Sequence, residues 1–151
     1  TDQRAIAVGT GGTLLTSDDA GQTWTEQKTG QRDTLKSITF VDELEGWAVG
    51  ERGIVMHTKD GGDTWSYQTG GRGFQLNGVY FLDSERGWAA GELGTIIYTT
   101  DGGTAWAHQK SLDVQPLRAI YFADADHGRA VGWSGLVFHT ENRGSSEEHT
   151  P

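Results

Sequence analysis

The chain has 151 residues and a formal net charge of −9, with 23 glycines, six tryptophans and no cysteine. Such an acidic chain lacks the cationic surface that nucleic-acid phosphates require, so we exclude a general nucleic-acid binder. The lack of cysteine excludes disulfide scaffolds and thiolate metal sites. The length suffices for one modest domain, and no apolar run approaches the roughly 20 residues of a membrane-spanning helix.

A repeat of 41 residues organises the chain. The segment AIAVGTGGTLLTSDDAGQTW at 5–24 recurs as GWAVGERGIVMHTKDGGDTW at 46–65 and as GWAAGELGTIIYTTDGGTAW at 87–106. The same spacing separates two sets of aromatic residues, Trp24, Trp65 and Trp106, and Phe40, Phe81 and Phe122. Repeats of this length indicate a modular fold in which each unit packs against its neighbours.

Each repeat divides into four short strand-like runs, which we call a, b, c and d in chain order. In the second repeat they are LKSITFV, GWAVG, GIVMHT and TWSYQT. Four antiparallel strands in about 40 residues are typical of one blade of a β-propeller. The order b-c-d, a-b-c-d, a-b-c-d, a-b-c therefore predicts an all-β fold of 14 strands, or about 3.5 four-stranded propeller blades.

The predicted organisation leaves the propeller open. Closed propellers have about four to eight blades, so the chain is either part of a longer propeller or a unit that oligomerises to complete a ring. Two copies could form a ring of eight blades. The predicted boundaries are 4–28 for a partial first blade, 35–69 for the second, 76–110 for the third, 117–140 for a partial fourth, and 141–151 for a degenerate turn and polar tail.

The turn between strands c and d, TKDGGDTW in the second repeat, could by itself be an anion-binding loop, a metal site or a tight turn. A catalytic aspartate is needed only once, whereas this one recurs in three repeats. We therefore interpret the aspartates as structural groups that accept backbone N–H bonds, and the tryptophans that follow as packing residues. This structural set is Asp19, Trp24, Asp60, Trp65, Asp101 and Trp106.

The pattern Ser/Thr-x-Asp-x-Gly-x-Thr-Trp resembles the Asp-box of bacterial neuraminidase repeats, which sialidases, sortilin-type receptors and several glycoside hydrolases share. The longer pattern GWAVGERGIVMHTKDGGDTW resembles the repeat of the photosystem II assembly and stability factor family, from Ala5 to about Thr140. The resemblance implies a non-enzymatic β-propeller scaffold that binds another protein, such as a segment of a membrane protein. It also implies a location outside the cytoplasm, in a periplasm, a thylakoid lumen or the medium, although no signal peptide is recognised in this sequence.

Two departures from the repeat lie near the end of the chain. The last turn, TENRGSSEEH, has Asn142 near the aspartate position and no tryptophan. Arg129 also stands where the second and third repeats have Trp47 and Trp88. Both changes indicate a degenerate fourth blade.

The predicted strand order places the loops on two faces. The b–c and d–a loops form one face, which we call the upper face, and the a–b loops and Asp-boxes form the strongly acidic lower face. We predict that the mildly basic upper face is the protein-binding surface, with solvated loop charges as the alternative. Its candidate residues are Arg32, Lys36, Arg52, Arg72, Lys110, Arg118 and Trp133.

No catalytic site, cofactor site or metal site is predicted. His57 and His139 occupy the same strand position two repeats apart, too far apart to bind one metal ion. Two other functions stay open. In the first alternative, the chain is a piece of an Asp-box glycoside hydrolase or carbohydrate-binding propeller, in which Trp133 and Phe74 stack on sugars. In the second, it is a truncated or engineered repeat array that mainly self-assembles.

Overall fold

In the computed structural model, the described residues (3–70, 73–109, 114–141 and 148–149) form four antiparallel sheets and no α-helix. The first sheet has three strands, β1 (Ala5–Val8), β2 (Leu14–Ser17) and β3 (Thr25–Glu26). The second has β4 (Leu35–Phe40), β5 (Gly46–Gly50), β6 (Val55–Thr58) and β7 (Ser66–Gln68). The third has β8 (Leu76–Phe81), β9 (Gly87–Gly91), β10 (Ile96–Thr99) and β11 (Ala107–Gln109). The fourth has β12 (Leu117–Phe122), β13 (Gly128–Gly132), β14 (Val137–Thr140) and β15 (Glu148–His149).

Strands follow the chain order within every sheet, so each repeat forms one blade and the predicted partial propeller is confirmed. The described residues contain fifteen strands, one more than the fourteen predicted, because Glu148–His149 pairs with Phe138 and His139 of β14. This last strand carries neither the aspartate nor the tryptophan of the turn motif. The 41-residue spacing therefore does not predict strand β15. None of the described residues forms a helix long and apolar enough to cross a membrane.

Strands β5 and β9 are buried along their whole length because each is covered by a blade on both sides. This explains their small and apolar sequences, GWAVG and GWAAG, which do not alternate with polar residues. The first strands of the second, third and fourth blades pack against one another in sequence, so β8 lies between β4 and β12. Each pairs with its second strand in the same register, and each shows the same irregularity near its start.

Stacked aromatic pairs join neighbouring blades. The Trp47 ring lies 3.6 Å from the Phe81 ring and nearly parallel to it, and Trp88 stacks on Phe122 at 3.7 Å. The Trp47 indole N–H also donates a hydrogen bond of 3.1 Å to the Gly102 carbonyl in the turn of the next blade. The aromatic spacing in the sequence therefore marks contacts between blades as well as contacts within them.

The two ends of the described row of blades differ. On the outer side of the fourth blade, Tyr121, Val131 and Val137 are exposed, although aromatic and β-branched side chains at such positions usually pack against a further sheet. At the other end, the described residues of the first blade form three strands, in which β1 pairs with β2.

Candidate functional site

Four tight turns between strands b and c form the centre of the upper face. Each is a single 3₁₀ turn, at Thr10–Gly12, Glu51–Gly53, Glu92–Gly94 and Trp133–Gly135. The middle residue has a φ between 55° and 64° in every turn, and it is Gly11, Arg52, Leu93 or Ser134. A non-glycine residue in this left-handed region costs on the order of 1 kcal/mol or more. Three of the four turns therefore have a strained backbone at the residue whose side chain points outward.

Backbone hydrogen bonds hold these turns in place. The Glu51 N–H donates to the Thr34 carbonyl at 2.9 Å, the Glu92 N–H to that of Gln75 at 2.9 Å, and the Trp133 N–H to that of Pro116 at 3.2 Å. Each bond ties the turn to the residue just before strand a of the same blade. The turn side chains therefore project from a rigid support, and Leu93 is 61% exposed.

Arg118 and Trp133 form the main polar and aromatic cluster of this face. The Arg118 guanidinium carbon lies 4.9 Å from the centre of the Trp133 ring, a cation–π contact. Its Nη1 atom is 4.0 Å from Glu92 Oε1, which also accepts bonds from the Asn77 and Gln75 side-chain amides at 3.0 and 3.1 Å. Trp133 is nevertheless 56% exposed, so the cluster is fixed in position and accessible from outside.

The structure brings some predicted upper-face residues together and leaves others apart. Arg118 and Trp133 are in contact, whereas Arg52 forms its ion pair with Asp33 on the neighbouring loop. The side chains of Arg32 and Lys36 are exposed. Arg72 and Lys110 lie outside the described residues.

Sequence reasoning missed Leu93 as a member of this face. It occupies the same turn position as Arg52 and Ser134, and its side chain is among the most exposed large apolar groups of the described residues. An apolar residue at an exposed loop position is the signal that could have revealed it. Phe74, which is 41% exposed, packs edge-on against His108 at 6.5 Å.

The Asp-boxes form the turns of the lower face. Asp60 accepts bonds from the Thr64 backbone N–H and the Thr58 hydroxyl, both at 2.8 Å. Asp19 makes the equivalent bonds with Thr23 and Ser17, and Asp101 with Ala105 and Thr99. Hydrogen bonds to a carboxylate favour its charged form, so the Thr23 hydroxyl and N–H lower the pKa of Asp19 to about 2.

The tryptophans of the three Asp-boxes differ in their surroundings. The indole N–H groups of Trp24 and Trp65 donate to a glycine carbonyl of their own turns, each at 3.1 Å. Trp65 packs edge-on against Phe40 at 6.3 Å, and Trp106 against Phe81 at 5.8 Å. Trp24 is exposed.

We expect the Asp60→Ala variant to melt a few degrees lower than the wild type, because the turn loses the acceptor for three hydrogen bonds from Thr58 and Thr64. The pKa of Asp60 is lowered in the folded state by the same bonds. The stabilisation is therefore complete above the ordinary carboxyl pKa of 3.8 and is lost as the pH falls below it.

Melting temperatures measured from neutral pH into this acidic range should consequently converge for wild type and variant. Glu26→Ala, which removes an exposed carboxylate on β3, is the control and should leave the melting temperature unchanged. An Asp60→Ala protein as stable as the wild type at neutral pH would contradict a structural role for the turn aspartates.

A buried histidine, His57, lies beneath the lower face. His57 Nε2 is 3.0 Å from Glu45 Oε1, and its ring stacks on Trp47 at 4.6 Å. Burial lowers the pKa of His57 despite the opposing effect of Glu45, so the neutral imidazole is favoured. Within the described part of the chain, no group of three histidine or acidic side chains is placed to hold a metal ion.

Comparisons with known proteins agree with this geometry. The family model described as Photosynthesis system II assembly factor YCF48 matches residues 1–70. A solved structure described as YCF48 bound to D1 peptide is 27% identical, with a TM-score of 0.72 over 83% of this chain. Residues 1–70 of this chain are therefore similar to the photosystem II assembly factor family.

Two further solved structures share the fold of these assembly factor-like repeats. YCF48 from Cyanidioschyzon merolae is 14% identical, with a TM-score of 0.73 over 98% of the chain. An ancestral GH74 enzyme is 12% identical, with a TM-score of 0.76 over 97% of the chain. The chain spans 42% and 53% of the two YCF48 structures and 22% of the GH74 enzyme. No curated protein matches the sequence.

Proposed function

We propose that the chain is a non-catalytic scaffold that binds a segment of another protein on its upper face. The observation that carries this proposal is the exposed Arg118–Trp133 contact, which presents a cation and an aromatic ring side by side. Aromatic residues and arginine are the residue types that most often dominate the energy of protein interfaces. The exposed side chain of Leu93, in the equivalent turn of the adjacent blade, extends this surface with an apolar group.

The chemistry of the surface indicates the kind of segment it binds. Arginine forms bidentate hydrogen bonds with carboxylates, and an exposed indole offers an apolar face, so a segment with an acidic group beside an apolar residue fits best. A similar protein with 27% identity is described as bound to a D1 peptide, which supports a protein segment as ligand. On the same resemblance we propose a location outside the cytoplasm.

Self-association belongs to the same proposal. The outer face of the fourth blade exposes Tyr121, Val131 and Val137, and a second copy whose first blade covers them would extend the row of blades towards a ring. The likeness to a GH74 enzyme at 12% identity concerns the fold alone. A sugar-binding role for Trp133 and Phe74 stays the second candidate, because both rings are exposed.

The upper-face proposal can be tested by chemical cross-linking to extracytoplasmic and membrane proteins of the source cell, with quantification by mass spectrometry. We expect a variant with Arg118→Ala and Trp133→Ala to capture about tenfold less of the partners that the wild type captures, because hot-spot side chains contribute about 1.4 kcal/mol or more. Lys59→Ala on the lower face is the control and should retain them.

Equal capture by the wild type and the double variant would contradict the proposal. Binding to a glycan array that depends on Trp133 and Phe74, with no protein captured, would instead favour the carbohydrate-binding alternative. Circular dichroism of each variant should show the wild-type fold, because the substituted side chains are exposed.

A further inference from the structure

A buried histidine lies where the second blade meets the third. His57 is 8% exposed, and its ring stacks on Trp47 at 4.6 Å. Trp47 in turn stacks on Phe81 of the third blade at 3.6 Å. Histidine is the side chain whose ordinary pKa lies nearest to physiological pH. The contact between these two blades therefore contains a group whose charge can change.

The hydrogen-bond partners of His57 determine which of its ring nitrogens carries the hydrogen. His57 Nε2 is 3.0 Å from Glu45 Oε1. A carboxylate only accepts hydrogen bonds, so Nε2 carries the hydrogen and Nδ1 is the acceptor of the neutral ring. Nδ1 lies 3.4 Å from Gln68 Nε2, which donates to it.

The same amide nitrogen of Gln68 joins the second blade to the third. Gln68 Nε2 donates a hydrogen bond of 2.8 Å to the Gly102 carbonyl, which also accepts one of 3.1 Å from the Trp47 indole N–H. An amide nitrogen has two hydrogens, so it can donate to His57 Nδ1 and to the Gly102 carbonyl together. The neutral form of His57 and the bond between the blades therefore require the same orientation of Gln68.

Other orientations of the Gln68 amide are unfavourable. Its Oε1 atom is buried and has no hydrogen-bond partner among the described residues. The oxygen is also tightly packed, since a Cβ atom on Gly103 would lie 2.1 Å from it. Rotating the amide by half a turn would bury its N–H groups without an acceptor and would place its oxygen against the Gly102 carbonyl. While the blades stay joined, Gln68 thus fits only the neutral form of His57.

Protonation of His57 conflicts with this arrangement. Because Nε2 already carries a hydrogen, the proton binds at Nδ1, and the new N–H points at the N–H of Gln68. Two donors then face each other without an acceptor between them. The conflict is relieved when the Gln68 amide turns away, and this movement breaks its bond to the Gly102 carbonyl.

Charged side chains from both blades line this part of the molecule. Glu45 favours the protonated ring, whereas Lys59, whose Nζ is 3.6 Å from Glu45 Oε1, opposes it. Glu85 and Asp101 of the third blade line the same cavity of about 620 Å³. Burial outweighs the attraction of Glu45 and lowers the pKa of His57 from its ordinary value of 6.5. The stabilisation from the neutral ring is therefore complete above pH 6.5 and is lost as the pH falls through the lowered pKa.

The first blade has the same glutamine beside a group that does not titrate. Gln27, which is equivalent to Gln68, donates a bond of 2.8 Å to the hydroxyl of Thr16, which is equivalent to His57. A threonine hydroxyl gains no proton at mildly acidic pH, so this pair keeps its hydrogen bond there. The acid response therefore belongs to the second blade and not to the first.

We propose that His57 and Gln68 form an acid-sensitive joint between the second and third blades. When His57 Nδ1 takes up a proton, the Gln68 amide releases the Gly102 carbonyl, and the contact between the two blades loosens on the lower face. This inference is independent of the proposed binding surface, because Arg118 and Trp133 belong to the fourth blade.

Nuclear magnetic resonance of the ¹⁵N-labelled protein between about pH 8 and about pH 5 tests the joint. We expect His57 to titrate with a midpoint below 6.5. The side-chain amide of Gln68 and the indole N–H of Trp47 should shift with the same midpoint, because both donate to the same carbonyl. His127 is the internal control, since it is exposed and Asp124 raises its pKa. It should titrate above 6.5 without moving these two signals.

Two variants separate the joint from burial alone. Gln68→Met removes the amide but keeps the length of the side chain, so the His57 midpoint should rise by about half a pH unit or more. Gln27→Met, at the same repeat position of the first blade, should leave it unchanged. His57→Phe keeps a ring against Trp47 and cannot be protonated. Its melting temperature should fall a few degrees less than that of the wild type between about pH 7 and about pH 5.

Four results would overturn the proposal. They are a His57 midpoint at or above 6.5, signals of Gln68 and Trp47 that do not follow this midpoint, an unchanged midpoint in the Gln68→Met protein, and an undiminished acid response in the His57→Phe protein. An unchanged midpoint would mean that burial alone favours the neutral ring. The titrations of the wild type and of the Gln68→Met protein decide the matter if the His57→Phe protein does not fold.

Discussion

Trp47→Ala is expected to lower the free energy of unfolding by about 3–5 kcal/mol, the usual cost of deleting a large buried aromatic side chain. Trp47 is fully buried between the second and third blades, where it stacks on Phe81 at 3.6 Å and on His57 at 4.6 Å. The variant also loses the hydrogen bond from the indole N–H to the Gly102 carbonyl. Urea denaturation followed by circular dichroism measures the difference directly.

Trp133→Ala is the matched control, because Trp133 is an exposed tryptophan in a turn. Its effect on the free energy of unfolding should stay within about 0.5 kcal/mol. A Trp47→Ala protein as stable as the Trp133→Ala protein would show that the stacked pairs do not join the blades.

The second large effect is expected from Gly91→Ala, which should destabilise the fold by about 3 kcal/mol or prevent folding, as overpacking against backbone does. A Cβ atom on Gly91 would lie 1.9 Å from the Gln75 carbonyl oxygen. That carbonyl accepts the hydrogen bond that holds the next turn, so it cannot move away without breaking this bond. The φ of Gly91 is −161°, an extended value open to any residue, and the cost is therefore one of space.

Gly9→Ala is the control for this prediction, since Gly9 is the same repeat position in the first blade and a Cβ atom there would lie 3.8 Å from the nearest atom, a Thr13 side-chain carbon. We expect the free energy of unfolding of the Gly9→Ala protein to lie within about 0.5 kcal/mol of the wild type. Equal destabilisation by both changes would contradict a cost that arises from contact with the Gln75 carbonyl.

The sequence by itself determined the repeat, the blade and the family resemblance. Glycine and tryptophan recur every 41 residues because each blade needs the same close approach at Gly50 and Gly91 and the same stacking at Trp47 and Trp88. The same glycine and tryptophan are needed in every blade, so these positions recur with the repeat and can be recognised in one sequence without coordinates. The pairing of Asp60 with the residues of its own turn is equally local.

Only the tertiary structure decided which side chains meet at the surface. The contact between Arg118 and Trp133 joins residues 15 positions apart in the chain, and the outward position of Leu93 depends on a positive φ that its sequence does not indicate. Periodicity reports what all blades share, whereas a binding surface arises where the residues of one blade differ from those of the others.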